Sequence, residues 1–172
     1  MAIARREQTG FTLIDLAVVL ALITLGFVIY PVLGDVLQVT AAKGASEEIA
    51  GALRLTRQLA ITKGNNHCIK FGGPANANNE FHIKDIASST HCHTGTVVEG
   101  PTTITKGLTV VSPDNKSLVF NAIGGSVDGS GNYIPATLCV AADATATYKV
   151  QIDVTQYGGV RVKADAPFCT GS

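Results

Sequence analysis

One long apolar run, Phe11 to Leu33 within GFTLIDLAVVLALITLGFVIYPVLGD, constrains this chain more than any other feature. Its only polar side chains are the hydroxyls of Thr12, Thr24 and Tyr30 and one carboxylate, Asp15. Roughly 20 apolar residues, at about 1.5 Å of helical rise each, cross a bilayer core of about 30 Å, so the run is long enough to span a membrane. An ionised aspartate in that core costs at least about 2.5–3.5 kcal/mol, which calls for a partner or a task. Arg5 and Arg6 are the only basic residues before the run. They hold the N-terminus in the cytoplasm and send the remainder of the chain across. A secretory signal would have a shorter apolar region and a small-residue cleavage site behind it; neither is present. A cut after Gly10, on the cytoplasmic side, leaves the anchor attached and gives sense to both Gly10 and Asp15.

Beyond the run the helical pattern continues. Ala42, Ala45, Ile49, Ala52, Thr56 and Leu59 recur at alternating spacings of three and four, while Lys43, Glu47, Arg54 and Lys63 lie off that line. Gly64, Asn65 and Asn66 supply the stop. A continuous helix from Phe11 to Lys63 is roughly 80 Å long. Pro31 is expected to kink it, with Gly26 and Gly34 loosening it nearby. After Gly64 the chain breaks into short β-prone runs separated by Gly, Pro, Asn and Asp. Strands are expected at His67–Phe71, Glu80–Asp85, Thr96–Val98, Leu108–Val111, Ser117–Asn121, Ser126–Asp128, Ala136–Ala141, Lys149–Val154 and Val160–Lys163. They are too short and numerous for a doubly wound fold. The expected fold is therefore α+β, a long N-terminal transmembrane helix whose outer half packs on one antiparallel, partly curled sheet. The expected divisions are 1–10 as leader, 11–34 as membrane half, 35–64 as amphipathic half and 65–172 as β domain.

The 172 residues include 13 basic and 13 acidic side chains. That balance gives no general attraction to nucleic acid or anionic lipid, so any such binding needs a local patch. Lys149, Arg161 and Lys163 fall in the last strands, and Arg161 and Lys163 share a face by the period of two. A solvated edge strand guarded by charge accounts for them. His67–Cys68 and His91–Cys92–His93 suggest zinc, whose ligands are imidazole and thiolate. In a strand, however, His91 and His93 would point away from Cys92, and export favours oxidised cysteines. The four cysteines then form disulfides, with three pairings open, and the histidines are ordinary surface residues. No nucleophile elbow, zinc-protease helix or phosphate loop is present to support catalysis, and no cofactor is called for.

The leader GFTLIDLAVVLALITLG resembles that of type IV pilins and type II secretion pseudopilins, whose pattern is G-F-T-L-I-E-L followed by an apolar run. That resemblance implies cleavage after Gly10 by a prepilin peptidase and methylation of the new N-terminus at Phe11. It also implies a role for Asp15, which stands where the family usually has Glu: its carboxylate pairs with the Phe11 amine of a neighbouring subunit and sets the stagger between helices. LRLTRQLAITKGNNHCIKF, SLVFNAIGGSVDGSG and VQIDVTQYGGVRV resemble successive stretches of the GspH/FimT minor pilins and pseudopilins. This branch often has a cysteine in the strand matching Leu138–Val140 and another near the C-terminus. The resemblance thus implies Cys139 with Cys169, leaving Cys68 with Cys92. The implied partners are other pilin or pseudopilin subunits, the prepilin peptidase and the inner-membrane assembly platform, with exported cargo or DNA as further candidates. The implied location is the bacterial inner membrane in a single pass, with the C-terminal domain periplasmic, then the assembled filament. FimT-like members bind DNA through a basic G-R-x-R stretch; here it reads Gly158–Gly159–Val160–Arg161, without the first arginine.

Overall fold

The computed structural model describes residues 13–72, 80–104, 109–111, 117–141 and 149–164, without the side chains of 27–35, 38, 109–111, 149 and 164. One helix, α1, runs from Leu13 to Lys63. The chain divides into two compact units, one ending at Leu37 and the other beginning at Gln38. Pro31 lies inside α1 among residues whose side chains are not described. The helix stops at Gly64, whose φ of +66° is the left-handed conformation that closes a helix end without a Cβ penalty.

Within the second unit the stripe of small residues is the buried face of α1. Ala42, Ala45, Ile49, Ala52 and Thr56 are buried and Leu59 is partly so, whereas Lys43, Glu47, Arg54 and Lys63 are exposed. Alanines on this face let strands approach the helix closely, and Leu53 and Ala60 widen it. The two buried hydroxyls turn back on the helix itself: Ser46 Oγ donates to Lys43 O at 2.7 Å and Thr56 Oγ1 to Ala52 O at 2.7 Å. Neither leaves a polar group stranded in the core.

The strands are β1 (Asn66–Phe71), β2 (Glu80–Ala87), β3 (Thr96–Thr103), β4 (Thr109–Val111), β5 (Ser117–Phe120), β6 (Ser126–Val127), β7 (Ala136–Ala141), β8 (Lys149–Val154) and β9 (Val160–Ala164). All pairings are antiparallel. The single sheet expected from the sequence is in fact two: a five-stranded sheet ordered β3-β2-β1-β5-β6 and a four-stranded sheet ordered β4-β7-β8-β9. The chain passes to the second sheet at β4, returns to the first for β5 and β6, and then turns through Asp128–Asn132 into β7 of the second. Alternating side chains of both sheets reach one core with α1: Ile69, Phe71 and Phe120 from the first, and Leu138, Val140, Val150 and Ile152 from the second. The other face of the first sheet holds a smaller cluster of Cys68, Ile86, Cys92, Val119 and Val127. Edge strand β3 is almost wholly exposed, and Gly100, Pro101 and its register shifts interrupt the flat row of backbone groups an intruding strand would need.

Candidate assembly surfaces

The first turns of α1 expose apolar side chains on every side. Leu13 is 84% exposed, Ile14 73%, Leu16 60%, Leu20 55% and Leu22 63%. No position from Leu13 to Gly26 is buried. Asp15 lies in the first turn, where the unpaired amides and partial positive charge of a helix N-terminus favour a carboxylate. Gly10 and Phe11 lie outside the described residues. Among the described residues no helix is long and apolar enough to cross a membrane; the apolar run of the sequence begins before them, at Phe11, and its last residues, from Phe27, are described without side chains.

Cys68 and Cys92 are joined in a disulfide with Cα atoms 5.7 Å apart, tying central strand β1 to the 88–95 loop. Cys139 is also disulfide-bonded, and Cys169 lies outside the described residues. The bridge takes the Cys92 sulfur out of the thiolate form, so the zinc reading of His91, Cys92 and His93 loses its best ligand. His91 and His93 stand exposed in the loop with ring centroids 5.6 Å apart, edge to face. Among the described residues no group of three His, Cys, Asp or Glu side chains is placed to hold a metal.

One histidine departs from the expected surface position. His67 is fully buried on the helix-facing side of β1. Its Nδ1–H donates to Asn65 O at 3.1 Å, and its Nε2 lies 3.9 Å from Asp85 Oδ2. The Ala87 amide, donating to Asp85 Oδ1 at 2.9 Å, draws the Asp85 pKa below the usual carboxylate value; burial opposes the shift and His67 assists it.

Arg161 and Lys163 sit exposed on edge strand β9, facing away from the core into which Val160 and Val162 pack. Asp153 on β8 is opposite Arg161 and takes the ammonium of Lys163 at 2.6 Å. Burial pushes the Asp153 pKa up, but the hydrogen bonds from Lys163 and Gln151 outweigh it and the net shift is down. The patch is therefore partly neutralised from within. Lys149, paired in register with Ala141, adds a third basic residue whose side chain is not described.

As a sequence the chain matches no family profile and no curated protein. Its structure does have neighbours. The type IV minor pilin FimU of Pseudomonas aeruginosa superposes with a TM-score of 0.57 at 14% identity, covering 71% of this chain and 87% of that one. A second crystal form of FimU gives 0.54 at 15% identity over 70% and 91%. The minor pseudopilin EpsH of the Vibrio cholerae type II secretion system gives 0.52 at 12% identity over 74% and 99%. The chain has the minor-pilin fold.

Within this pilin fold, a pair of matching turns was not singled out from the sequence. Asn121–Gly125 joins β5 to β6 and Thr155–Gly159 joins β8 to β9. In both, the amide of the first residue donates to the carbonyl of the fifth, and the amide of the fourth donates back to the carbonyl of the first. In both, the first side chain also accepts from the fifth amide, Asn121 Oδ1 at 2.8 Å and Thr155 Oγ1 at 2.9 Å. The fourth residue is glycine with positive φ, +83° at Gly124 and +78° at Gly158. The sequence signal was present as two Gly-Gly pairs, each three residues after a capping Asn or Thr. The turns touch each other and α1: Ser126 N donates to Gln156 O at 3.1 Å, and Arg57 Nε donates to Gly124 O at 3.0 Å.

Proposed function

We propose that this chain is a minor pilin or pseudopilin, a structural subunit near the tip of a type IV pilus or a type II secretion pseudopilus. The observation that carries this reading is the Leu13–Gly26 segment, apolar and exposed all round, on a chain with the minor-pilin fold. A helix of this kind is stable in lipid or among other apolar helices, and a subunit stored in the membrane and then drawn into a helical bundle uses both. Residues 1–10 are the leader, removed between Gly10 and Phe11 by the prepilin peptidase, and Phe11 is N-methylated. Residues 11–34 cross the inner membrane with the N-terminus cytoplasmic, Pro31 bends the helix, and the 65–172 domain stands in the periplasm on residues 35–64. The assembly platform transfers the subunit, and Asp15 neutralises the Phe11 amine of the neighbour below it. Cys139 pairs with Cys169.

The test is Asp15→Ala and Asp15→Glu in full-length protein. Asp15→Ala should leave the membrane-bound amount unchanged while recovery in sheared filaments falls about ten-fold, because a buried amine is left without its counter-charge. Asp15→Glu should assemble at least as well as the native chain. Equal assembly of Asp15→Ala and native protein contradicts the pairing.

A second reading, capture of DNA, is favoured by the shared exposed face of Arg161 and Lys163. A mobility shift at low salt that disappears in Arg161→Ala/Lys163→Ala supports it, and no shift at low salt removes it.

A further inference from the structure

The paired turns hide their glycines and expose their tips. Ile123 is 74% exposed and Tyr157 73%; Ile61, on the helix beneath the turns, is 48% exposed. Single exposed apolar residues are ordinary, but here three elements bring one each to the same edge of the domain. The turns are also stiff. Each is closed by three internal hydrogen bonds, and a side chain at Gly158 would run into the carbonyl oxygen of Gly124. A partner meeting these tips would have little ordering to impose.

Beside the tips lies a groove of about 410 Å³ between the end of α1 and the β8–β9 turn. Arg54 and Arg57 are its charged lining, and no carboxylate lines it. Neither guanidinium has an ion pair among the described residues. Arg57 is held in place by its bond to Gly124 O, and Arg54 is exposed. Two uncompensated, planar cations beside apolar tips complement a carboxylate flanked by apolar side chains. A nucleic acid would satisfy the arginines but leave Ile123 and Ile61 uncovered.

We propose that this face docks an acidic protein segment, contributed by a different chain, that carries apolar side chains within a turn of its carboxylate. The apolar part covers Ile61, Ile123 and Tyr157, and the carboxylate enters the groove between Arg54 and Arg57. The site uses no residue of α1 before Arg54, so it does not rest on the anchor or on filament assembly.

The test places a photoactivatable phenylalanine analogue at Ile123, and separately at Tyr157, in the full-length protein in its native membranes, with the joined peptides sequenced. One dominant partner segment is expected, with Asp or Glu within a turn of the attachment point. Arg54→Glu should lower its yield about five-fold, the scale of one exposed charge pair. Changing the partner's carboxylate to lysine should restore the yield in that background. Unchanged resistance of the domain to limited proteolysis in every variant reports that it is folded. Attachment to a second copy, to nucleic acid or to lipid, the absence of a dominant product, or a yield indifferent to Arg54→Glu would each overturn the proposal. Recovery of the Asp15 variants in filaments is read in the same cells, so failure of the assembly reading and failure of this site are told apart.

Discussion

The two halves of α1 are built from similar residues and meet different surroundings. Leu20, in the first half, is 55% exposed; Leu53, in the second, is fully buried. The first half is apolar on all sides, whereas the second confines its apolar residues to one stripe and covers it with two sheets. Helix propensity does not separate them, because leucine and alanine serve both. The separation comes from periodicity: a stripe at spacings of three and four calls for a core on one side, and an unbroken apolar surface calls for a surrounding medium. One helix thus carries a striped surface that folds against the sheets and an all-round apolar surface, which under the proposed function serves assembly.

Substitution can break this comparison at several points. The largest effect is expected at Leu53→Ala, which should destabilise the domain by about 2–5 kcal/mol through a cavity between helix and sheets. Leu20→Ala should change it by less than about 0.5 kcal/mol; denaturant unfolding of the full chain in detergent reads both. Equal losses would mean that the halves are not distinct. Next, replacing Cys68 and Cys92 together with serine should cost about 3 kcal/mol, since the bridge closes a loop with a sequence separation of 24. That loss belongs wholly to the second half's domain and should leave membrane retention unchanged. Gly158→Ala should cost about 2 kcal/mol or more, from positive φ and the nearby Gly124 carbonyl. The Arg57 contact with the turns should loosen with it, seen as faster amide exchange in Thr155–Gly159.

The smallest effect is electrostatic. Asp153 has a lowered pKa in the folded chain, so its contribution to stability is present above the ordinary carboxylate value of 3.8 and is lost as pH falls below it through the folded value. Lys163→Ala should flatten that part of the stability profile by less than about 1 kcal/mol, because the ammonium is largely exposed. Stability measured from about pH 6 down to about pH 2 checks the sign.

Much of this was legible in the residues. The helix ended where Gly64 said it would, and eight of the nine strands lie close to their expected places because Gly, Pro, Asn and Asp bound them locally; the strand expected at Thr96–Val98 instead runs on to Thr103 through Gly100 and Pro101, held by its pairing with β2. The division into two sheets was not legible, because β4 leaves the first sheet to pair with β7, a choice set by pairings between distant residues. His67 was misread as well. Alternation within the expected strand His67–Phe71 puts it on the same face as Ile69 and Phe71, yet it was grouped with His91 and His93 as a surface residue once the zinc reading was set aside. The matching turns were visible as two Gly-Gly pairs, but their packing against Arg57 was not, since that contact spans 67 positions. The basic strand was read correctly as exposed, while the Asp153 that partly neutralises it was hidden in the neighbouring strand.

The most direct measurement is the intact mass and N-terminal sequence of the protein taken from native membranes, with and without the prepilin peptidase. A chain beginning at N-methylated Phe11 when the peptidase is present, and at or near Met1 when it is absent, is the expected result. A chain beginning at or near Met1 in both cases would contradict it, leaving a membrane-anchored domain of pilin fold that is not processed as a pilin.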